Sequence, residues 1–253
     1  MKKLILILFA ALTAAAVSAR SIYLTRHGQQ GDRKYYDAAV HEMKLTPLGR
    51  EQAEALAHYL KEKCRFEGTI LVSPLYRTIE TGLPTAKLLG VKMILEPGIQ
   101  EVSPGARRPR AMSFAEIEER FPGMTEKGKA FTEPWRLFGE DAAARRERVE
   151  KALRRILREN GGDLLLVTHG GTLVDLMRCI NAGLPPKKKV IATPWNCCLF
   201  IVELDERDVP VAVRFTTEYL PDEKVTANFG ASKVPHPEDP RYARPAGQKG
   251  SRK

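Results

Sequence analysis

A chain of 253 residues is long enough for one substantial domain or at most two small ones. Its hydrophobic content of 43% and charged content of 28% are ordinary for a soluble globular protein. The net charge of +10 would suit an anionic partner or substrate. However, the basic residues are spread over predicted helices and the C-terminal tail, without zinc-finger spacing or an RNA-binding aromatic signature. We therefore do not expect nucleic-acid binding.

The N-terminus has the pattern of a secretory signal peptide over residues 1–19. Lys2 and Lys3 provide the positive region, Leu4 to Val17 form the apolar run, and small residues precede the predicted cut after Ala19. The run is too short to span a bilayer comfortably, although an uncleaved anchor is the alternative. No cysteine lies near the cut, which argues against a lipoprotein anchor. We expect a periplasmic or secreted protein without a stable membrane anchor after cleavage.

The first predicted strand delivers charged side chains to its carboxyl end. Ser21 to Leu24 form a β-branched and aromatic run, and Thr25-Arg26-His27-Gly28 follows it. Gly28 permits a turn at low steric cost, and ligands bind at this edge of open α/β sheets. An imidazole next to a fixed positive charge suits an anion, above all a phosphate that the imidazole could attack.

A polar loop over residues 29–44 comes next and is predicted to lie over the site. Thr46 as N-cap and Pro47 at the first helical position predict a helix that extends through residue 63. The second strand, Thr69 to Ser73, leads into a helix over residues 75–89 that carries Arg77 in its first turns. Arg77 is therefore predicted at the same edge of the sheet as His27.

The third strand, Val91 to Leu95, places Glu101 at another strand end. Residues 102–140 follow as a predicted cap insertion, which contains a short helix from Met112 to Phe121. Its arginines could meet a second anionic group on a substrate or simply face water; they are Arg107, Arg108 and Arg110. A long helix is predicted from Asp141 to about Glu159.

The most hydrophobic strand, Asp163 to Thr168, is expected to be central and parallel. It ends in His169-Gly170-Gly171, and a helix over 172–182 follows, whose N-terminus would favour an anion. Cys198 to Leu204 and Val211 to Glu218 are the last two predicted strands. Residues 226–253 form a basic, proline-rich tail without periodicity, which we expect to be extended or disordered.

The four cysteines are scattered and have no zinc-site spacing; they are Cys64, Cys179, Cys197 and Cys198. Export would permit a disulfide. Cys197 and Cys198 are adjacent on a predicted strand, so their side chains should point to opposite faces, which makes one bridge easier to form than two. Plain buried thiols are the simplest expectation.

The strand ends together provide what phosphoryl transfer requires. Cations must hold the phosphate oxygens as charge shifts, a nucleophile must lack a proton, and an acid must protonate the leaving alkoxide. Arginine can hold two phosphate oxygens and stays charged, and two arginines disfavour protonation of His27. The elements predict a three-layer α/β/α fold with a mostly parallel central sheet and a helical cap insertion.

Three motifs of this chain resemble the histidine phosphatases, the phosphoglycerate-mutase-like superfamily. They are Arg26-His27-Gly28, Ser73-Pro74-Leu75-Tyr76-Arg77-Thr78 and Thr168-His169-Gly170-Gly171. The segment Leu45 to Ala53 is also similar to the start of that family's first helix. The resemblance covers residues 21 to 204 and implies a catalytic domain over 20–225.

The resemblance implies an acid-type phosphomonoesterase that works through a phosphohistidine without a metal or other cofactor. It implies that His27 is the nucleophile, that Arg26, Arg77 and His169 hold the phosphate with Gly170, and that Glu101 is the proton donor. Because Val102-Ser103-Pro104-Gly105 departs from the family's common sequence after that acid, other acids stay open as proton donors; they are Glu96, Glu140, Glu118 and Glu119.

Two alternative functions remain open. Mutases of the family carry an asparagine- and tryptophan-containing stretch after the histidine-glycine turn, whereas this chain has Gln29-Gln30-Gly31-Asp32-Arg33. This difference and the predicted export favour a hydrolase acting on a small-molecule or peptide phosphomonoester over a phosphoglycerate-mutase-type phosphotransferase. A non-catalytic phosphate-binding module is the other alternative. The substrate itself and the oligomeric state cannot be predicted.

Overall fold

The computed structural model describes residues 20–31, 33–38, 42–101, 111–135, 139–190 and 194–226. The strands within these ranges are β1 (Arg20–Arg26), β2 (Tyr36–Asp37), β3 (Glu42–Met43), β4 (Thr69–Val72), β5 (Met93–Leu95), β6 (Thr125–Lys127), β7 (Leu164–Thr168), β8 (Leu199–Leu204) and β9 (Pro210–Thr216). The α-helices there are α1 (Pro47–Glu62), α2 (Tyr76–Leu89), α3 (Phe114–Arg120), α4 (Ala142–Glu159) and α5 (Gly170–Gly183).

Seven of these strands form one mixed sheet in the order β6-β5-β4-β7-β1-β8-β9. The five strands from β6 to β1 are mutually parallel, whereas β8 and β9 are added in antiparallel fashion. Helix α1 packs against α2, and α4 packs against α5. The predicted three-layer α/β/α architecture with a mostly parallel central sheet is confirmed.

Strand β7 is the fourth of the seven strands, and every one of its five residues is buried at this central position. It pairs in parallel with β1 on one side and with β4 on the other. The register places Arg26 opposite Thr168 and Val72 opposite Val167. The residues that follow these three strands therefore emerge side by side at the carboxyl edge.

The turn after β1 packs directly on the start of α1. Thr46 caps this helix by accepting a hydrogen bond from the Gly49 N–H at 3.0 Å, and Pro47 is the first helical residue, as predicted. A Cβ atom on Gly28 would lie 2.4 Å from the Gly49 carbonyl oxygen, and one on Gly49 would lie 2.2 Å from the Gln29 oxygen. Only glycine allows the two backbones to approach this closely.

The predicted cap insertion contains both a helix and a strand of the central sheet. Its short helix is α3, and β6 continues the sheet by pairing in parallel with β5. Strand β6 was not predicted because Thr125–Lys127 has no apolar alternation. Residues 102–110 and 136–138, including Arg107, Arg108 and Arg110, lie outside the described residues.

Two local predictions need correction. Helix α5 begins at Gly170 rather than at residue 172, so that His169 is its N-cap. Cys197 and Cys198 precede β8 instead of lying on it, and Cys197 has a φ of 49°, so the argument from alternating strand directions was wrong. All four cysteines are described and are free thiols, of which Cys64 and Cys179 are only half-buried.

The two ends of the chain lie mostly outside the described residues. Neither the predicted signal peptide (residues 1–19) nor residues 227–253 of the predicted tail belong to the described part of the chain. Within the described part of the chain, no helix has the length and apolar character that crossing a membrane requires.

Candidate active site

The two predicted site histidines meet at the carboxyl edge of the sheet. His27 follows β1 and His169 follows β7, and their ring centroids lie 5.4 Å apart at an interplanar angle of 59°. Both side chains are buried; His27 is 2% exposed. The parallel pairing of β1 with β7 brings them together, because it aligns the ends of the two strands.

The hydrogen bonding of His27 defines its tautomer. Its Nδ1 lies 2.8 Å from the Gly28 carbonyl oxygen, which can only accept a hydrogen bond. Nδ1 must therefore carry the proton, and Nε2 keeps its lone pair. Burial, and then the positive charges of Arg26 and Arg77, hold the pKa of His27 well below its usual 6.5, although the contact with Gly28 opposes this shift. The imidazole is accordingly neutral at neutral pH.

Arg26 lies at the N-terminus of α5. Its Nη1 donates a hydrogen bond to the Pro194 carbonyl oxygen at 2.8 Å. Its Nε would lie 3.6 Å from a Cβ atom placed on Gly170, the first residue of the helix. Burial lowers the pKa of the guanidinium, and the negative charge of Glu101 acts in the opposite direction. Arg26 is thus a buried cation beside the helix N-terminus predicted to bind phosphate.

Arg77 extends from the first turn of α2 towards the short strand β3. Its Nη1 donates a hydrogen bond to Glu42 Oε2 at 3.3 Å, and the Glu42 side chain is only 2% exposed. No role was predicted for Glu42, because it lies in a polar loop without a recognisable pattern. A buried carboxylate therefore accompanies one of the two predicted phosphate-binding arginines.

His169 contacts the end of β4. Its Nε2 lies 2.9 Å from Ser73 Oγ, so that one of the two groups donates a hydrogen bond to the other. Ser73 belongs to the predicted Ser73-to-Thr78 motif, but its own role was not anticipated. As the N-cap of α5, His169 also brings Gly170 to the edge of the site.

Glu101 is bound to the same helix N-terminus. The Gly171 N–H donates a hydrogen bond to its Oε2 at 3.0 Å. This contact and the electrostatic effect of Glu101 on Arg26 place the carboxylate beside the predicted phosphate-binding residues.

The four alternative acids have other contacts. Glu96 accepts hydrogen bonds from Arg155 and from the Gly98 N–H, and Glu140 is held by Arg148. Glu118 accepts from Thr125 Oγ1, and the side chain of Glu119 is 78% exposed. Of the five carboxylates considered, Glu101 is the one hydrogen-bonded to the helix that follows His169. The geometry therefore favours Glu101 over the alternatives.

The described residues contain no group of three or more histidine, cysteine, aspartate or glutamate side chains arranged to hold a metal ion. What the site does combine is the buried guanidinium of Arg26, the largely buried guanidinium of Arg77, a neutral imidazole with a defined lone pair, and a helix N-terminus. Such a set is complementary to a tetrahedral oxyanion that carries two negative charges.

Comparison with known proteins identifies relatives over most of the described chain. The profile of the histidine phosphatase superfamily (branch 1) matches residues 22–217. "Probable phosphoglycerate mutase GpmB" of Yersinia enterocolitica is 30% identical over 193 residues, which cover 73% of this chain and 85% of that protein. The "Transcription factor tau 55 kDa subunit" of Saccharomyces cerevisiae is 30% identical over 177 residues; the match covers 62% of this chain but only 40% of the yeast protein.

Solved structures show the same fold. The ecdysone phosphate phosphatase of Bombix mori, in complex with tungstate, superposes with a TM-score of 0.55 at 15% sequence identity. The superposition covers 80% of this chain and 93% of that structure. The resemblance expected from the three sequence motifs is confirmed at the level of the family, because the superfamily profile matches residues 22–217. The chain belongs to the histidine phosphatase superfamily, branch 1.

Proposed function

We propose that the protein is an exported, metal-free, acid-type phosphatase that hydrolyses phosphomonoesters through a phosphohistidine on His27. The observation that carries the proposal is the direction of the His27 ring. Nδ1 donates to the Gly28 carbonyl oxygen at 2.8 Å, which leaves the Nε2 lone pair available beside two guanidinium groups. A histidine in this state is ready to attack phosphorus without first losing a proton.

In the first step, Arg26, Arg77, His169 and the Gly170 N–H hold the non-bridging oxygens of the substrate phosphate. His27 Nε2 forms a bond to phosphorus while the bond from phosphorus to the ester oxygen breaks. Protonated Glu101 gives its proton to the departing oxygen, so that an alcohol leaves. The positive groups stabilise the charge that develops on the oxygens.

In the second step, the Glu101 carboxylate accepts a proton from a water molecule as that water attacks phosphorus. The bond from phosphorus to Nε2 breaks, and inorganic phosphate leaves. His27 returns to its neutral, Nδ1-protonated form and Glu101 to its protonated form. The net reaction consumes one ester and one water and forms one alcohol and one phosphate.

A phosphoglycerate-mutase-type phosphotransferase is the second candidate, favoured by the 30% identity with the Yersinia protein of that name. The two functions differ in the acceptor of the phosphoryl group. A phosphorylated enzyme that loses its group to water, and that is not discharged faster by added phosphoglycerates, is expected for the hydrolase. Rapid transfer to a phosphoglycerate would identify a mutase.

The decisive experiment measures p-nitrophenyl phosphate turnover by the purified protein in the presence of a chelator. We expect full activity, an acid-labile phosphoenzyme during turnover, and loss of both in His27→Ala. Activity that disappears with the chelator would contradict the metal-free mechanism. Full activity in His27→Ala would contradict the nucleophile assignment, and no turnover of any phosphomonoester would favour the non-catalytic binding module.

Export and the domain limits are tested separately. Cleavage after Ala19 predicts that the protein recovered from the periplasm or medium begins at Arg20, which N-terminal sequencing can establish. Retention of residues 1–19 in the membrane fraction would indicate an uncleaved anchor. A chain ending at Thr226 is expected to keep full turnover, because the proposed catalytic residues all precede that position.

A further inference from the structure

Four hydrogen bonds, three of them buried and one partly buried, hold the two peptide groups on either side of Gly28. In the first group, the His27 carbonyl accepts from Asn196 Nδ2 and the Gly28 N–H donates to Thr81 Oγ1, both at 3.0 Å. In the second, the Gln29 N–H donates to Gln52 Oε1 at 2.8 Å, and the Gly28 carbonyl accepts from His27 Nδ1 at 2.8 Å. Each peptide group is therefore held at both its N–H and its C=O.

The planarity of the peptide bond links Gln52 to the imidazole. The N–H of Gln29 and the C=O of Gly28 belong to one planar trans unit, in which they point in opposite directions. The contact from Gln52 to this N–H consequently fixes the direction of the carbonyl that accepts from His27 Nδ1. That carbonyl decides which ring nitrogen is protonated, and Gln52 is connected to it through the shared peptide unit.

Thr226 joins these groups into a single network. Gln52 Nε2 donates to Thr226 Oγ1 at 3.1 Å, and Thr226 Oγ1 donates to Asn196 Oδ1 at 3.0 Å. Gln52 Nε2 also donates to the Lys224 carbonyl at 2.6 Å. The network thus links α1, the turn before β8 and the C-terminal end of the described chain around the His27 turn.

The network consists of polar side chains in positions that favour apolar ones. Gln52 and Thr81 are fully buried, Asn196 is 1% exposed and Thr226 is 5% exposed. Burial of polar groups is unfavourable unless they are hydrogen-bonded. Here each side chain bonds to the turn that carries His27 or to another member of the network, while Gln52 also donates to the Lys224 carbonyl and Thr81 to the Arg77 carbonyl. This convergence on one turn distinguishes the network from polar groups that only satisfy a helix end.

We infer that Gln52, Thr81, Asn196 and Thr226 are positioning residues that hold His27 in its Nδ1-protonated form, with Nε2 free to accept a phosphoryl group. The inference deepens the proposed phosphatase function and rests on it for the role of His27. The tautomer itself, however, can be measured without any turnover.

The test compares variants in the full chain by two measurements. The ¹⁵N chemical shifts of His27 report its tautomer, and steady-state kinetics with p-nitrophenyl phosphate separate kcat from KM. In Gln52→Leu we expect partial conversion to the Nε2-protonated tautomer and a loss in kcat of about tenfold to a hundredfold, the usual effect of removing a group that orients a functional side chain. The KM and the inhibition constant of tungstate should change little, because Arg26 and Arg77 are untouched.

A matched pair of threonines on α2 provides the control. Thr81 and Thr85 are one turn apart and both buried, but only Thr81 binds the turn; Thr85 Oγ1 has no hydrogen-bond partner among the described residues. We expect Thr81→Val to lower kcat and Thr85→Val to leave it unchanged. Equal losses in the two variants would overturn the inference, because they would reflect general damage to the core.

A conservative change at Gln52 covers the possibility that Gln52→Leu does not fold. In Gln52→Glu the carboxylate cannot donate to Lys224 or Thr226, but it can still accept a hydrogen bond from the Gln29 N–H. Because this is the contact that orients the Gly28 carbonyl, we expect His27 to keep its wild-type tautomer. Loss of the Nδ1-protonated form in Gln52→Glu, or wild-type tautomer and kcat in Gln52→Leu, would overturn the inference. If the wild-type protein proves to have no phosphatase activity, the proposed function fails while the ¹⁵N measurement still decides the inference.

Discussion

The guanidinium of Arg77 donates a hydrogen bond to Glu42 Oε2 at 3.3 Å, within a pair whose side chains are only 12% and 2% exposed. The largely buried Arg77 is thereby compensated by a carboxylate before any phosphate is bound. In the proposed mechanism, a substrate dianion shares Arg77 with this carboxylate and is repelled by it. We therefore expect Glu42 to stabilise the free protein and, at the same time, to weaken phosphate binding.

The substitution Glu42→Gln should separate these two effects. The new amide would keep an oxygen acceptor near Arg77 but remove the negative charge. We expect the free energy of unfolding to fall by about 1–3 kcal/mol, because a largely buried cation loses its counter-charge. Phosphate and tungstate should bind about tenfold more tightly, since repulsion by the carboxylate is lost in a poorly screened site. Thermal melts with and without phosphate measure both quantities.

The control for this prediction is Glu80→Gln. Glu80 is a carboxylate on α2 that accepts from the Leu45 N–H and from Arg50 rather than from Arg77. Its replacement should leave the affinity for phosphate unchanged. Weaker phosphate binding by Glu42→Gln would show that Glu42 acts mainly by orienting Arg77 and would contradict the predicted repulsion.

The pKa of His27 predicts the sign of a pH effect on stability. In the folded protein, burial and then Arg26 and Arg77 hold the pKa well below 6.5, whereas the unfolded chain has an ordinary value of about 6.5. As the pH falls below that value, the unfolded chain binds a proton that the folded chain does not, so acidification favours unfolding. This destabilisation is absent above about pH 6.5 and grows until the folded pKa is reached.

Urea titrations between about pH 8 and pH 5, on either side of the ordinary histidine pKa, can measure the effect. His27→Asn should lose less stability on acidification than the wild type, because the titrating group has been removed. The control is His58→Gln, because His58 lies on α1 and its imidazole side chain is 57% exposed. Identical pH dependence in His27→Asn and the wild type would mean that His27 is not held neutral.

The proposed role of Glu101 as proton donor predicts a dependence of the rate on the leaving group. Glu101→Gln cannot supply a proton, so the rate of phosphoenzyme formation from an alkyl phosphate should fall by about 10²–10⁴-fold. The same rate with p-nitrophenyl phosphate should fall much less, because p-nitrophenolate is a good leaving group without protonation. Single-turnover kinetics isolate this step from hydrolysis of the phosphoenzyme.

Glu140→Gln tests one of the alternative acids under the same conditions. Because Glu140 is held by Arg148, this variant should keep both rates within experimental error of the wild type. Equal losses on the two substrates in Glu101→Gln, or a leaving-group effect in Glu140→Gln, would show that the proton donor has been assigned incorrectly.

The contact between Gly28 and Gly49 predicts a steric limit. In Gly28→Ala the new Cβ would lie 2.4 Å from a backbone oxygen that cannot rotate away, so we expect at least about 1–3 kcal/mol of destabilisation and a loss of activity. Gly161→Ala is the matched control, because nothing lies within 4 Å of its Cβ position. Thermal denaturation of the two variants makes the comparison. A stable, active Gly28→Ala protein would contradict the observed packing.

Local patterns in the sequence were enough to predict most of the fold. The hydrophobic run of β7 predicted a central strand, and Thr46 with Pro47 predicted the start of α1, because an apolar run and a capping motif are both contained in a few consecutive residues. The same reasoning predicted that His27 and His169 would meet, since both follow parallel strands whose ends align.

The polar groups that surround those histidines became known only from the folded chain. The hydrogen bond from Asn196 to His27 joins residues 169 positions apart, and the pair of Arg77 with Glu42 spans 35 positions. No periodicity predicts such contacts, because each depends on where two distant segments cross. Local sequence therefore specified the strands, the helices and the residues at the strand ends. Long-range packing selected the neighbours that compensate the charge of Arg77 and set the tautomer of His27, because hydrogen bonds require atoms to be within about 3 Å of each other.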